Sequence, residues 1–330
     1  MPLNLPGLDL KIAAVKKPES VDGKEPYDLV IIGGGPAGMS AAVYASRKKL
    51  RTLMVTINLG GQVLWTSDIE NYPGYLYITG QELSKKFSTQ IAANPIDILM
   101  PDEAEELQIE KGQRFKITTR NKREFTAKSL VIASGKRYRM LGIPGEKELL
   151  GKGVAYCATC DAPLFAGKDV AIAGGGNSAL TAATDLLKIA NKIYIINIAP
   201  ELQGDPVLIE KTRDPKVELL PGWRTAEIKG REKVESVIIE QPGQQGKREI
   251  KVDGIFIEVG LDPNSEFARG VLEMNDNGEI LVDCHSRTSV LGIFAAGDVT
   301  NVQEKQIIIA AGEGAKASLA AYRYLLSRRD

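Results

Sequence analysis

Cys157-Ala158-Thr159-Cys160-Asp161 is the segment whose residue types and spacing could do covalent chemistry. Two residues between the cysteines let the sulfurs close into a small ring, and a neighbouring positive potential can lower one thiol pKa to about 7 or below. Such a pair exchanges disulphides near neutral pH. A carboxyl directly after it could supply or remove the proton that exchange requires; the competing reading of Asp161 is a helix cap. The pair could also be half a zinc site. Zinc needs further ligands, and the remaining thiol and the single histidine, Cys284 and His285, stand alone far down the chain. Redox chemistry is expected, and no metal. Cys284 reads as a small core hydrophobe, and His285 as a surface or turn residue.

Gly33, Gly35 and Gly38 fill a G-x-G-x-x-G pattern. The first glycine makes a strand-to-helix turn, the second lets backbone approach a pyrophosphate, and the third lets helix and strand pack closely. The helix that follows offers free N–H groups and a partial positive charge to the phosphates. A second loop has Gly174, Gly176 and Ala179, the variant with Ala in third place. Here the specificity position fails. An acid at the end of the next strand would hold a ribose hydroxyl and an Arg would hold a 2′-phosphate, but the chain reads Asn197-Ile198-Ala199-Pro200, with no Lys or Arg from Asn197 through Glu210. The sequence weighs against NADPH, and a loop that packs without binding a nucleotide stays open.

The elements that must position these residues are legible around them. Tyr27 to Ile32 is a short β-branched run of the kind buried on both faces of a parallel sheet; small residues from Met39 to Ser46 form a helix ending near Lys48, and Thr52 to Val55 completes a βαβ unit. Asp169 to Ala173, a helix to about Ala190 and the strand Lys192 to Ile196 repeat the pattern. Three more apolar strands, Ser129 to Ala133, Gly254 to Val259 and Gly292 to Ala296, each end at a Gly or polar residue. If the first and last of these belong with the first unit, the fold is α/β with two Rossmann-like nucleotide-binding domains, the second inserted into the first. The boundaries are then an N-terminal arm at 1–26, an FAD-type domain at 27–139 and 264–330, and an inserted domain at 140–263 carrying the cysteines.

Composition excludes several classes. The 42 basic and 42 acidic residues cancel, and no dense basic patch suggests nucleic acid or a membrane surface. No apolar run approaches the roughly 20 residues needed to span a bilayer, and the first residues lack an export pattern. A cytoplasmic location is expected. Three cysteines are too few for a structural disulphide framework.

From Tyr27 to Leu325 the chain resembles the low-molecular-weight thioredoxin reductases. The resemblance is carried by the first glycine loop, Gly60-Gly61-Gln62, Glu70-Asn71-Tyr72-Pro73-Gly74, the Cys157 to Asp161 run, Gly174 to Ala179, and Thr288-Ser289-Val290 through Gly297-Asp298. It implies FAD held by Gly33, Gly35, Pro36, Ala37, Gly38, Gly61, Gln62 and Asn71, with Gly297 and Asp298 on the ribityl side and Gln306 and Ile307 at the flavin. It further implies that Cys160 faces the flavin, Cys157 attacks the substrate disulphide and Asp161 is the acid/base. A nicotinamide nucleotide would lie on Gly174, Gly176, Asn177, Ser178 and Ala179. Three departures stand out. The family's His-Arg-Arg run and downstream Arg are absent at Asn197-Ile198-Ala199, its paired glutamates are replaced in Ala179-Leu180-Thr181-Ala182-Ala183, and its Arg-Gln is Lys305-Gln306.

The reading is a thioredoxin-disulphide reductase passing electrons through FAD and Cys157/Cys160 to a thioredoxin-like protein, as a homodimer like the family it resembles. Ferredoxin or another low-potential carrier is the expected donor, with NADH in reserve. A small-molecule dithiol oxidase and a non-catalytic flavin-binding protein are the alternatives.

Overall fold

The structure, a computed structural model, describes residues 21, 25–66, 69–243 and 246–328, with the side chains of Trp65, Thr159 and Cys160 outside that description. Of the arm expected over 1–26, only Val21, Glu25 and Pro26 fall within it, and Val21 is buried. The chain opens with β1 (Tyr27–Ile32), α1 (Pro36–Arg47), β2 (Thr52–Val55), α2 (Gly80–Ala92), β3 (Asp97–Leu99), β4 (Ala104–Glu110), β5 (Arg114–Thr119) and β6 (Glu124–Ile132). It crosses at β7 (Lys136–Tyr138) into β8 (Val154–Ala155), α3 (Ala158–Asp161), β9 (Asp169–Ala173), α4 (Asn177–Leu186), β10 (Lys192–Asn197), α5 (Pro206–Lys211), β11 (Val217–Pro221), β12 (Arg224–Lys229), β13 (Ser236–Glu240), β14 (Lys247–Lys251) and β15 (Gly254–Ile257). It returns at β16 (Leu261–Pro263) to β17 (Ile293–Ala295) and α6 (Ile307–Ser327).

β1, β2 and β3 run parallel in the first sheet, whose order is β3-β2-β1-β6-β5-β4. β6 pairs with antiparallel β5 at its start and with parallel β1 and β17 at its end. Alternate side chains sort onto opposite faces, as strand geometry requires. Leu29, Ile31, Met54 and Val131 join the core under α1 and α6, while Val30, Ile32, Leu53, Val55, Leu130 and Ile132 join the core on the other side. Both faces are buried, which is why these strands read as unbroken apolar runs.

The second sheet, β11-β10-β9-β15-β8, is parallel throughout, and β12 to β14 form a separate antiparallel sheet. All of it lies between β7 and β16, which pair antiparallel with Tyr138 opposite Leu261. The ribbon is clamped by Arg139 Nε donating to Asp262 Oδ1 at 2.7 Å and Arg137 Nη1 donating to Asn264 Oδ1 at 2.9 Å. These paired strands are the two crossings between the sheets.

Two expectations need correction. The helix after the second loop ends at Leu186 rather than near Ala190; beyond it Ile189 N donates to Leu186 O, the i→i−3 bond of a tight turn. Cys284 is exposed, not a core residue. Asp283 Oδ1 accepts from His285 N and Arg287 N at 2.8 and 2.9 Å, and this side-chain turn lifts residues 284 and 285 to the surface. Among the described residues no helix is long and apolar enough to cross a membrane.

Candidate active site

β1 runs into Gly33, whose φ of +108° only glycine adopts freely, and a Cβ there would sit 2.2 Å from Ala133 O. A Cβ on Gly38 would sit 1.9 Å from Gly33 O. These two glycines are needed by the protein's own packing. Gly35 is different, for no protein atom lies within 4 Å of its Cβ position. It is the N-cap of α1, with no side-chain cap, Pro36 at the start and no acid in the first turn. Ala37 is buried behind it. On the far side a Cβ on Gly61 would lie 3.2 Å from Gly35 Cα. A helix N-terminus thus opens onto a cradle lined by two glycines, which fits the pyrophosphate of a dinucleotide such as FAD.

The other residues expected at FAD converge here. Gln62 Nε2 donates to Lys136 O at 2.7 Å, and Asn71 Nδ2 donates to Gln306 Oε1 at 3.2 Å, tying the segment after β2 to the start of α6. Gln306 is the N-cap of α6 and Ile307 its first residue, packed against the Val63, Ile69, Ile78 and Leu83 cluster. Gly297 N donates to Glu313 Oε2 at 2.9 Å. Burial pushes the Asp298 carboxyl up, opposed by Lys305 and Lys136. These two lysines share Glu279, at 3.2 and 2.5 Å, in a largely buried ion cluster, and burial pushes Lys305 down. Lys136 and Glu279 were not foreseen. A lysine just past the Ser134-Gly135 strand end was a usable signal for the first; Glu279 carried none.

Cys157 is disulphide-bonded and caps the start of α3, with Asp161 N donating to Cys157 O at 3.0 Å. The Cys160 side chain lies outside the described residues. Asp161 stands at the N-cap position of the 3-10 turn Ala162–Phe165, without a side-chain capping bond to that turn. Cys157 and Asp161 line one crevice together with Gln62 and Thr66 from the first unit, Tyr138 from the crossing, and Leu164 and Phe165. Tyr138 stacks on Tyr156, with ring centroids 4.8 Å apart. Its hydroxyl is held far above the usual tyrosine range, first by burial and then by Asp298, Glu258 and Asp161. It thus feels three carboxyls, those of Asp298, of Glu258 after β15 and of Asp161 beside the cysteines. Tyr156 is fixed by its hydroxyl donating to buried Glu146 at 2.7 Å.

At the second loop, Gly174 (φ +137°) passes so close to Glu258 O that a Cβ would lie 2.3 Å away, and the buried methyl of Ala179 fits in third place. Gly176 caps α4 and bridges to Gln203, whose carbonyl oxygen lies 3.8 Å from its Cβ position, where Gly35 has nothing within 4 Å. Asn177 is held by Asp205, and Ser178 Oγ donates to Glu258. Asn197 spends its amide hydrogens inward, on Ala199 O at 3.1 Å and Glu201 O at 2.7 Å, and packs against Gly175. Arg213 lines a cleft with Asn197 and Glu201, although it is 16 residues on in the chain from Asn197 and ion-paired to Glu210 at 2.8 Å. The stretch without basic residues is thus approached by one from α5's far end.

Residues 27–314 match the model of the pyridine nucleotide-disulphide oxidoreductases. The thioredoxin reductase of Streptococcus pyogenes MGAS5005 superposes with a TM-score of 0.85 at 36% identity, over 91% of this chain and 98% of its own. Two curated relatives are an NADH dehydrogenase of Ferdinandcohnia aciditolerans, 42% identical over 92% of this chain, and an alkyl hydroperoxide reductase component of Staphylococcus aureus, 40% identical over 96%. The chain spans 58% and 62% of their lengths. With the glycine cradle, the disulphide-bonded Cys157 and the matched length taken together, the chain belongs to the pyridine nucleotide-disulphide oxidoreductases and has the fold of the low-molecular-weight thioredoxin reductases.

Proposed function

We propose that the protein reduces the disulphide of a thioredoxin-like partner, with the unit at 27–139 and 264–330 holding FAD and the inserted unit at 140–263 carrying the Cys157/Cys160 dithiol. The observation that carries this reading is the shared crevice: Cys157 and Asp161 face Gln62 and Thr66, so the redox helix is docked on the unit that has the dinucleotide cradle. FAD on that cradle supplies a two-electron store. Gly35 and Gly61 admit its pyrophosphate, and Gln62, Asn71 and Gln306 orient the ring end. In the reduced protein Cys157 attacks the partner's disulphide as thiolate. One partner sulfur leaves as thiol, Cys160 displaces the other, and the Cys157–Cys160 bond closes as the partner becomes a dithiol. Asp161 holds the proton that the attacking thiol gives up and returns it to the leaving sulfur.

For the donor, the inward-turned Asn197 and the acids around it weigh against NADPH. A ferredoxin-type carrier stands first, and NADH gains from the name of the NADH dehydrogenase relative. Cytoplasmic location and a homodimer belong to the same reading. The test is the spectrum of two variants with turnover on oxidised thioredoxin. Cys157→Ser should leave a thiolate beside the flavin and a long-wavelength band, Cys160→Ser should not, and both should stop thioredoxin reduction. Identical spectra would remove the assigned roles. Oxygen uptake with small dithiols, and none of the thioredoxin turnover, would move the protein to the oxidase alternative.

A further inference from the structure

Glu258 directly follows β15, with Gly174 packed against its backbone. Its carboxyl accepts from Ser178 Oγ, in the first turn of α4, and is favoured in its ionised form by the backbone N–H of Ala158, the residue after Cys157. Ala158 shares a core cluster with Ala179 of α4 and Phe256 of β15. One side chain therefore joins the second glycine loop to the start of the redox helix. Nothing in the disulphide chemistry above uses it.

Resting on the disulphide-reductase reading, we propose that Glu258 is a positioning residue that ties the redox helix to the second glycine loop and sets the reactivity of Cys157. The physical reason is charge and place. A carboxylate hydrogen-bonded to the N–H next to Cys157 disfavours a thiolate there, whereas the neutral acid keeps the geometry without the charge. Burial pushes Glu258 up to about 7, with Asp185 on α4 adding to it and the Ser178 and Ala158 bonds opposing. Tyr138 on β7 also feels the Glu258 carboxyl, and Cys157 is the N-cap residue immediately before Ala158. The carboxyl thus changes charge in the pH range where the dithiol works. A ligand phosphate that took the Ser178 hydroxyl would remove a bond favouring the ionised form, so occupancy of the loop would reach the thiol through Glu258.

The test is the rate of alkylation of Cys157 against pH in the reduced, flavin-loaded protein, in a Cys284→Ser background so that the exposed thiol does not report. Glu258→Gln, which keeps an acceptor and loses the charge, should raise the rate at pH 7 by roughly threefold to tenfold, the effect of a thiol pKa lowered by about half to one unit. Ser178→Ala should shift the rate the same way by less, and should add nothing in the Glu258→Gln background. Superimposable profiles for wild type and Glu258→Gln would overturn the proposal, as would a full Ser178→Ala effect persisting without the carboxylate. Should Glu258→Gln fail to fold, as read by far-ultraviolet dichroism, Ser178→Ala against wild type decides alone. A wild-type protein whose Cys157 neither reduces nor exchanges would instead sink the reductase reading, leaving a different signature.

Discussion

At the residue scale, the first loop separates two glycines needed by the fold, Gly33 and Gly38, from Gly35, which the fold leaves room around. Gly38→Ala would drive a methyl into Gly33 O, and the apoprotein should lose stability by about 1–3 kcal/mol. At Gly35 a Cβ meets no protein atom within 4 Å, so Gly35→Val should fold with a near-unchanged melting temperature yet purify without flavin. Flavin absorbance per chain, measured beside thermal unfolding, checks both; full flavin in the Gly35 variant would remove the cradle assignment. Glu258 makes a second prediction, on stability. Its carboxyl is raised to about 7 in the fold from an ordinary value of 4.5, so the folded protein binds that proton more tightly than the unfolded chain does. Its contribution is complete below about pH 4.5 and is lost as pH rises through 7. Glu258→Gln should flatten the fall in melting temperature between those limits, and an unchanged slope would show the shift to be absent. The glycines were legible because their spacing is a steric requirement visible in the residue type itself. Glu258 and Lys136 were not, since a lone acid or lysine at a strand end looks like surface until the fold buries it.

At the element scale, what positions the cradle is the contact of α1 with α6. A Cβ on Gly314 would lie 1.9 Å from Ala37 O, so the two helices approach to backbone distance just where α1 begins. Gly314→Ala should therefore cost about 1–3 kcal/mol by overpacking and loosen flavin as well. Thermal unfolding with and without added FAD reads both effects, and a stable variant with tight flavin would show that the helices can separate freely. The parallel strands were legible from their apolar runs, because both faces are covered. By contrast β4 and β5 escaped notice: Ala104–Glu110 buries Leu107 alone among seven residues, and its charged neighbours face solvent. In the β12-β13-β14 sheet the two outer strands bury little, β14 only Ile250, while central β13 is buried from Ser236 to Ile239. The extent of α4 was also overread. An apolar pattern continues through Ile189 and Ala190, but the chain has already tightened into a turn to reach β10.

At the scale of the whole molecule, one chain carries two glycine loops of similar backbone and unequal chemistry, joined by the crossing at β7 and β16. The first opens freely at Gly35, while the second is crowded by the segment returning from β10. Gln203 bridges to Gly176, Asp205 holds Asn177, and Asn197 turns its amide into its own loop. A 2′-phosphate would bring about two negative charges to a cleft already lined by Glu201 and bordered by Asp205 and Glu210. Loss of a bidentate charge-assisted Arg contact is worth on the order of a few kcal/mol, roughly a hundredfold or more in affinity. NADH escapes that penalty but finds no free amide hydrogen on Asn197 for its ribose. NADPH should therefore be the weakest reductant of the flavin, NADH should reach the same rate at a concentration at least roughly tenfold lower, and reduced ferredoxin should exceed both. Stopped-flow reduction under nitrogen, with the three donors at equal concentration, decides the order. Arg213 is the reason the outcome is open to refutation. It lines the cleft with Asn197 and Glu201 and needs only to leave its exposed pair with Glu210, an exposed bond worth at most about 1 kcal/mol. If micromolar NADPH reduces the flavin rapidly and Arg213→Ala abolishes this while sparing NADH, then the phosphate site has been rebuilt from the end of α5, and the low-potential carrier loses its claim as donor.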